Sequence, residues 1–473
     1  MRDDPVIRKG PAVSVEVQGM VRMAKRMGMG VLGLLAGLGA PRLAAQSWAL
    51  PASDPVGIAR SGAGVAYGAD LEATALNPAL LATLRNRGGL YLAAGEEMQS
   101  SEATLQSNTQ TLYSTDRNRF LPSLGFAWRL SPSLVMGMKL DQPFLRHAQM
   151  PLDYAGRFQG QALDLTTRRV EVQLGWAASP NWAFGASLGG TRIRYSWDNM
   201  VRTVILQPGT SATPLGLMET DLHQGGTRTV PSYSLGFRWA ANSRWTFAGT
   251  YVGALKGTMP LSASYGSAPT SYYSPTGTQP PPAGLSSLGP AIQSGSQLQP
   301  GGGAITLPAK AVLGVRQRVN QVFTWELDVR YVFGSSTQLP GYPSSTAPGG
   351  SPVSGSGQST SFRSGWGMSL MGELNVAKAW VVRIGASLDP ALRDYAGVDP
   401  LVGGAKTSGL SAGFGYKCLG GELNLGYQYR QSQAVDTPGL EGNWTASGYS
   451  TTPAQTRVEG MGHLWAVGYK RLF

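Results

Sequence analysis

The sequence predicts an all-β protein, a transmembrane antiparallel β-barrel of about fourteen strands with an N-terminal hatch, or plug, in its lumen. Apolar residues recur at every second position in many segments, and tight and long connections alternate between those segments. The chain also combines 64 glycines with only 14% charged residues. Because lipid-facing and lumen-facing residues alternate along the strands of a membrane barrel, each strand is only half apolar. A mean hydropathy of −0.11 is therefore compatible with a chain that crosses a membrane.

The C-terminal segment shows the alternation most clearly. Large apolar side chains take alternate positions near the end of the chain: Trp465, Val467, Tyr469 and Phe473. Arg471 interrupts this apolar face, but two residues from the end it can reach the water interface. A terminal aromatic residue also resembles the signal that the barrel-assembly machinery recognises in bacterial outer-membrane barrels. We therefore expect that machinery to bind Phe473.

Composition excludes several other classes of protein. Beyond the N-terminus, no stretch reaches the roughly 18 apolar residues that a membrane-spanning helix needs. The single cysteine, Cys418, excludes an intramolecular disulfide and a cysteine cluster for metal. The formal charge is +12, and about +8 remains without residues 1–45, spread along the chain with no basic block. We therefore expect no nucleic-acid partner.

The first 45 residues have the pattern of a secretory signal. Three basic residues precede an apolar run at 27–40, and small residues at 44–45 offer a cleavage site. The apolar run is too short to span a bilayer. We divide the chain into a signal peptide (1–45), a hatch (46–87) and a transmembrane barrel (88–473).

The barrel region contains fourteen alternating segments. They lie near 88–96, 119–130, 133–144, 163–179, 182–198, 229–240, 245–262, 305–318, 322–334, 361–376, 379–388, 407–418, 420–431 and 457–473. Six connections are tight, with mostly turn-forming residues at 131–132, 180–181, 242–243, 320–321, 377–378 and 419–420. The other connections are long, and the extreme case is 266–304. In outer-membrane barrels short turns are periplasmic and long loops extracellular, which places both termini in the periplasm.

The ninth strand shows which face is which. Glu326, Asp328 and Arg330 alternate with aromatic and aliphatic residues. On a lipid face each charge would cost kilocalories, so we assign these three to the lumen. The same alternation on the other strands assigns further charged residues of both signs to the lumen: Arg129, Arg169, Glu171, Arg238, Arg316, Glu373, Arg383, Glu422 and Arg430. The simplest interpretation is an ion-paired lining.

The fifth strand changes phase. Phe184 and Leu188 take even positions, whereas Ile193 and Trp197 take odd ones. A strand cannot switch faces without an extra residue, so we predict a β-bulge at positions 189–190. The alternative is that the strand leaves the bilayer there and that arginines 192 and 194 lie above the lipid.

Residues 46–87 do not alternate and carry a family resemblance. They form a Gly/Ala-rich stretch, followed by Asp70 and by Asn77-Pro78-Ala79, about 32 residues after the proposed cleavage site. Residues 121–124 and 142–144, which open strand two and close strand three, extend the match. The sequence resembles the FadL/TodX family of outer-membrane transporters for long-chain fatty acids and other hydrophobic compounds. That resemblance implies fourteen strands and a luminal hatch.

The resemblance also implies a mechanism. Substrate would pass from an extracellular groove to a luminal site, and a hatch rearrangement would release it through a lateral gap at a kink in strand three. Pro143 cannot donate to the strand ladder, and Gly137 offers a further irregularity. The alternative is that Pro143 merely ends the strand. Candidates for binding a substrate carboxylate are Lys139, Arg169, Arg192 and Arg194.

Asn77-Pro78-Ala79, the hatch motif, has two interpretations. Asn77 can cap a helix that begins at Pro78. It can also anchor the hatch against the barrel wall beside strand three. We expect both.

No enzymatic chemistry is expected. Two G-x-S-x-G matches, at 185–189 and 409–413, lie inside alternating strands and lack the strand–turn–helix setting of a nucleophile elbow. The three histidines are far apart, so we expect no metal and no cofactor. The expected partners are a hydrophobic small molecule, outer-membrane lipid and lipopolysaccharide, and the chain is expected to be a monomer in the outer membrane. An open diffusion porin and a structural, secretion-associated barrel are the alternatives.

Overall fold

The alternating segments form strands in the computed structural model, and each pairs antiparallel with the next. The bounds are β1 Gly88–Leu105, β2 Arg119–Arg129, β3 Leu134–Asp141 with Leu145–Gln149, β4 Ala162–Ala177, β5 Trp182–Leu206, β6 Pro214–Ala240, β7 Trp245–Val252 with Leu255–Pro260, β8 Gly302–Leu307 with Lys310–Arg318, β9 Phe323–Val332 with Ser335–Gln338, β10 Ser359–Phe362 with Gly365–Asn375, β11 Trp380–Asp389, β12 Thr407–Cys418, β13 Gly421–Ser432 with Val435–Leu440 and β14 Ala454–Leu472. β14 pairs with β1 from Gly89–Leu472 to Leu105–Thr456, which closes the barrel. The predicted fourteen-stranded barrel is confirmed.

The structure describes residues 49–473 with gaps. The gaps are position 69 and 106–110, 115–117, 152–159, 207–213, 261, 266–270, 275–276, 279–301, 339–344, 347–351, 354–358, 394–400, 402, 441–443, 446–447 and 450–453. The predicted signal peptide, 1–45, lies outside the described residues. Among those described, no helix is long and apolar enough to span a membrane.

Shorter elements occur in the hatch region and the long loops. One α-helix, α1, spans Pro55–Ala59, and two 3-10 helices span Glu72–Ala75 and Pro78–Thr83. Short loop strands extend the wall or pair with one another: Thr111–Tyr113, Ser262–Tyr265, Ser271–Ser274, Gly277–Thr278, Ser345–Thr346, Pro352–Val353, Trp444–Thr445 and Gly448–Tyr449. The predicted loop 199–228 is largely strand instead, because β5 and β6 continue pairing beyond the apolar band.

The wall strands present two different faces. Outward positions on β4 carry exposed Val170, Val172, Leu174 and Trp176, whereas Arg169, Glu171 and Gln173 between them are buried on the luminal side. Stacked rings of Trp182, Trp239 and Phe247 lie beside the short turns, with centroid separations of 5.6 and 5.4 Å. Such an aromatic group is typical of the membrane interface of a barrel.

The predicted bulge at residues 189–190 is wrong. The register of β5 against β4 is continuous from Ala183 to Asp198. Ile193, Tyr195 and Trp197 face the lumen and are buried, because the lumen itself is apolar at that level. The arginines at 192 and 194 face outward and are exposed.

Candidate functional site

The segment before β1 is buried against the inner wall. α1 begins at Pro55 because the Asp54 carboxylate accepts a hydrogen bond from the Gly57 amide at 2.7 Å. All five residues of α1 are buried. A Cβ at Gly413 or at Gly426 would come within 2.5 or 2.1 Å of the helix. Glycine at these wall positions therefore lets the backbone of α1 approach the sheet closely.

Three more glycines seat the 3-10 helix at Pro78–Thr83. Gly175, Gly185 and Gly236 are register partners on β4, β5 and β6, so they form a row across the wall. A Cβ added at each would lie 2.7, 2.3 and 2.0 Å from atoms of the hatch. These distances are too short for any side chain. The wall has no side chains at this row, so the backbone of the hatch motif packs directly against the strand backbone.

Asn77 both caps and docks. Its side-chain oxygen accepts a hydrogen bond from the Ala79 amide at 3.0 Å, as expected of an N-cap. Its side-chain amide donates to Val65 O in the hatch at 2.9 Å and to Phe237 O on β6 at 3.1 Å. Asn77 is fully buried. The motif therefore docks across β6, β5 and β4: Asn77 bonds β6, and Pro78 and Ala79 lie against the glycines of β5 and β4. β4 is the strand next to strand three, beside which the sequence analysis placed the motif.

Luminal carboxylates on β9 bind hatch backbone. Asp328 accepts from the amides of Gly64 and Val65, at 2.9 and 3.2 Å, and Glu326 accepts from Ala66 at 2.6 Å. Three successive peptide groups that leave water are thus satisfied by two strand side chains. The luminal assignment of Glu326 and Asp328 is correct, and these carboxylates contact the hatch.

Buried ion pairs join the hatch to β10 and to β14. The Arg60 guanidinium lies 2.8 Å from Glu373 and 3.0 Å from Asp70, and its carbon is 3.8 Å from the centre of the Tyr67 ring. Lys470 on β14 contacts Asp70 at 2.9 Å and Glu72 at 3.0 Å. Removing one partner of such a buried pair typically costs about 3–5 kcal/mol, because an uncompensated charge remains.

The two hatch carboxylates beside Lys470 have pKa values that are shifted in opposite directions. Burial opposes ionisation of both, but Lys470 and Arg60 hold the pKa of Asp70 well below its ordinary value. Burial and the neighbouring Asp70 raise the pKa of Glu72 well above its ordinary value. The surroundings therefore favour the ionised form of Asp70 and the neutral form of Glu72.

Strand three is interrupted where the sequence analysis placed a kink. β3 stops at Asp141 and resumes at Leu145, with Gln142, Pro143 and Phe144 between. Pro143 O accepts a hydrogen bond from the Leu50 amide at 3.0 Å, and Phe144 bridges to Ala49. The start of the hatch therefore pairs with the break. Gly137 is different: the ladder runs regularly through it, so the irregularity proposed there is wrong. It makes room for Leu81 of the hatch.

The wall lacks a hydrogen-bonded ladder beside this break. β2 pairs with β3 only through residues 124–129, and the segment Leu145–Gln149 pairs only with β4 in the described structure. Leu121 on β2 and Leu145 on β3 face this interval, and Leu50 of the hatch packs in one apolar cluster with both. The start of the hatch thus covers the unpaired interval from the inside.

The luminal cations chosen from the sequence are already paired. Lys139 lies 3.1 Å from Glu171 and donates to Ala75 O of the hatch at 3.0 Å. Arg169 makes two hydrogen bonds to Asp141, at 2.7 and 2.5 Å. Neither is free to bind a substrate carboxylate. Arg192 and Arg194 are excluded as well, because they lie on the outer face.

Sequence reasoning missed Lys310. Its register partners on the neighbouring strands are Val252 and Val332, and the position faces inward because Val312 and Gly314 of the same strand are buried two and four residues away. No hydrogen bond or ion pair holds Lys310 to another described residue. The inward direction of Lys310 could have been predicted from the sequence, since position 310 is two residues before the inward-facing Val312.

An apolar cluster lies in the extracellular half of the lumen. It contains Ala103, Ala148, Met150, Leu163, Leu165, Ile193, Tyr195, Trp197, Val230, Leu255, Met259, Ile305, Leu307, Phe362, Leu392 and Leu401. Val332, beside Lys310, and Phe144, in the break of β3, pack against it. The cluster therefore connects an unpaired luminal cation with the break in strand three. We call it the luminal apolar cluster.

These features define a plugged outer-membrane barrel with an apolar luminal site. The family model for outer membrane protein transport proteins (OMPP1/FadL/TodX) matches residues 39–473, and the chain belongs to that family. It is a family of transport channels, not of enzymes. No curated protein matches the sequence.

Solved structures share the fold at low sequence identity. A Pseudomonas aeruginosa FadL homologue is 15% identical with a TM-score of 0.70, covering 90% of this chain and all of its own. The Pseudomonas putida toluene transporter TodX is 14% identical with a TM-score of 0.60, covering 88% of this chain and 97% of its own. The Ralstonia pickettii toluene transporter TbuX is 14% identical with a TM-score of 0.57, covering 90% and 99%.

The glycine row gives a test of hatch docking. Replacing Gly236 with Ala places a Cβ 2.0 Å from the Asn77 side-chain oxygen and should displace the hatch, whereas the barrel should still fold. We expect larger single-channel conductance in a planar bilayer. Gly372→Ala is the matched control, because its Cβ meets only side-chain atoms at 3.4 Å or more. Equal conductance in the two variants would show that the row does not seat the hatch.

Proposed function

We propose that this protein passively carries long-chain fatty acids inward across the outer membrane. The observation that carries the proposal is the luminal apolar cluster with the unpaired Lys310 beside it. An acyl chain suits the apolar side chains, and its carboxylate suits an ammonium group that has no other partner. Arg169, Asp141, Arg330 and Lys139 are the charged groups that also act on Lys310. Lys139, Arg169 and Arg330 each contact a carboxylate, so Lys310 is the cation of this group that has no carboxylate partner among the described residues.

We infer that substrate leaves sideways through the interval between β2 and the resumed part of β3. Phe144 links the luminal apolar cluster to the break, and Leu50 covers the interval from the inside. Withdrawal of the Ala49–Leu50 backbone would remove its contacts with Phe144 and Pro143. An acyl chain could then pass from one apolar environment to another without entering water.

The alternatives are less well supported. An open porin needs a continuous aqueous path, which the buried contacts of the hatch oppose. A purely structural barrel gives no reason for an apolar cluster inside the lumen. An aromatic hydrocarbon is the competing substrate, because two of the similar structures are toluene transporters.

Lys310→Gln separates the two substrate classes. If Lys310 holds a carboxylate, uptake of radiolabelled oleate should fall several-fold in cells that lack their own fatty-acid channel. Uptake of toluene should not change, because toluene has no charge to lose. Lys256→Gln, an exposed lysine on β7, is the matched control. A fall in toluene uptake of the same size would refute a carboxylate role.

We propose further that outward arginines bind the phosphates of lipopolysaccharide. Arg168 and Arg192 are exposed cross-strand partners, and Arg194 lies two residues further along β5. Like charges directly opposite one another are unfavourable, and none of these arginines pairs with a described carboxylate. They follow the outward apolar residues Val170 and Leu188, on the extracellular side. Native mass spectrometry should count fewer bound lipopolysaccharide molecules on Arg168→Gln/Arg192→Gln than on wild type, and equal counts would remove the proposal.

The C-terminal end of β14 is the candidate binding site for the barrel-assembly machinery. The Phe473 ring is half exposed, and its backbone pairs with Gly88 of β1 at 2.8 and 2.9 Å. We propose that the barrel-assembly machinery binds this end before the barrel closes and that the closed barrel functions as a monomer.

A further inference from the structure

A second luminal site lies at the opposite end from the luminal apolar cluster. A cavity of about 470 Å³ opens at the periplasmic mouth, between the hatch, the β4–β5 and β6–β7 turns and the end of β8. Its lining includes Arg85, Arg238, Arg244, Arg316 and Arg318. The lining holds five arginines and no acidic residue. We call it the arginine cavity.

The arginines of this cavity differ from those elsewhere in the lumen. Arg60, Arg169 and Arg383 each contact at least one carboxylate within 3 Å. In contrast, none of the five cavity arginines forms an ion pair with a residue in the described part of the chain. Arg238 and Arg316 are half-buried, whereas Arg85, Arg244 and Arg318 are exposed at the rim. The absence of a carboxylate partner is therefore most significant for Arg238 and Arg316.

Two of the five carry buried, unsatisfied donors. The Nε atoms of Arg238 and Arg316 are inaccessible and have no hydrogen-bond partner among the described residues. A buried donor without a hydrogen-bond partner is destabilising, and more so when the group is charged. Arg316 is partly compensated: its guanidinium carbon lies 4.3 Å from the centre of the Tyr67 ring, and Glu326 is its cross-strand partner. Arg238 has no such compensation.

We propose that the arginine cavity binds a small polyanion, a molecule with two or more phosphate or carboxylate groups. Planar guanidinium groups bind such oxyanions through paired hydrogen bonds, and several together favour multiple charge. The lining supplies further polar groups from Asn181, Asn242 and Ser243, and no large apolar side chain. The hydrophobic cargo of the luminal apolar cluster therefore does not suit this cavity. The site is on the periplasmic side, so its ligand comes from the periplasm.

Calorimetry on the detergent-purified full chain tests the proposal. Pyrophosphate is the probe, with inorganic phosphate and octanoate as comparison ligands at constant ionic strength and pH. We expect saturable 1:1 binding of pyrophosphate, tighter than phosphate and much tighter than octanoate. Arg238→Gln/Arg316→Gln should weaken pyrophosphate binding at least tenfold. Lys256→Gln/Lys378→Gln removes the same charge at two exposed positions outside the cavity and should leave pyrophosphate binding unchanged.

Three other results would each overturn the proposal. Absence of saturable binding to wild type would mean that water alone solvates the arginines. An equal loss in both double variants would mean a general effect of net charge. Tighter binding of octanoate would make the cavity part of the transport path. Should Arg238→Gln/Arg316→Gln fail to fold, as judged by heat-modifiable migration in electrophoresis, Arg85→Gln/Arg318→Gln gives the same comparison at the cavity rim.

Discussion

Charge pairing inside the lumen is the constraint on which the rest of the structure depends. A barrel of fourteen strands is wider than side chains alone can fill, and charged strand residues must point inward because lipid will not accept them. The hatch solves both problems. It fills the space, and it brings the groups that the inward charges need: the Arg60 guanidinium for Glu373, and three backbone amides for Asp328 and Glu326.

The positions of the wall glycines also determine how the hatch fits the barrel. A wall strand normally presents a side chain at every luminal position, which would hold the hatch backbone away. The row formed by Gly175, Gly185 and Gly236 removes those side chains from three neighbouring strands at one level. The capped turn at Asn77 then comes close enough to donate to a strand carbonyl. The hatch is therefore bound to strands around most of the wall, and its start contacts the break in strand three through Leu50 N–Pro143 O and the Ala49–Phe144 bridge.

The sequence predicted the barrel well because strand alternation and turn chemistry are local. It predicted the cap at Asn77 for the same reason. The face assignment failed at Arg192 and Arg194, because large residues were taken to face lipid, whereas Ile193 and Trp197 line an apolar lumen. Lys139 and Arg169 were on the correct face, but their partners Glu171 and Asp141 could not be paired with them from spacing alone. Lys310 was missed because a free cation is recognised only after all other pairs are known.

Transport in this account requires the hatch to move, and a reversible tether tests that most directly. Ala49 at the start of the hatch and Phe144 in the break of β3 are antiparallel bridge partners. Cα atoms of such partners lie about 4.5–5.5 Å apart, which suits a disulfide. In a Cys418→Ser background, oxidised Ala49→Cys/Phe144→Cys should fold normally yet take up little oleate, and reductant should restore uptake. Each single-cysteine variant should take up oleate equally in both conditions. Wild-type uptake by the fully oxidised double variant would contradict the account.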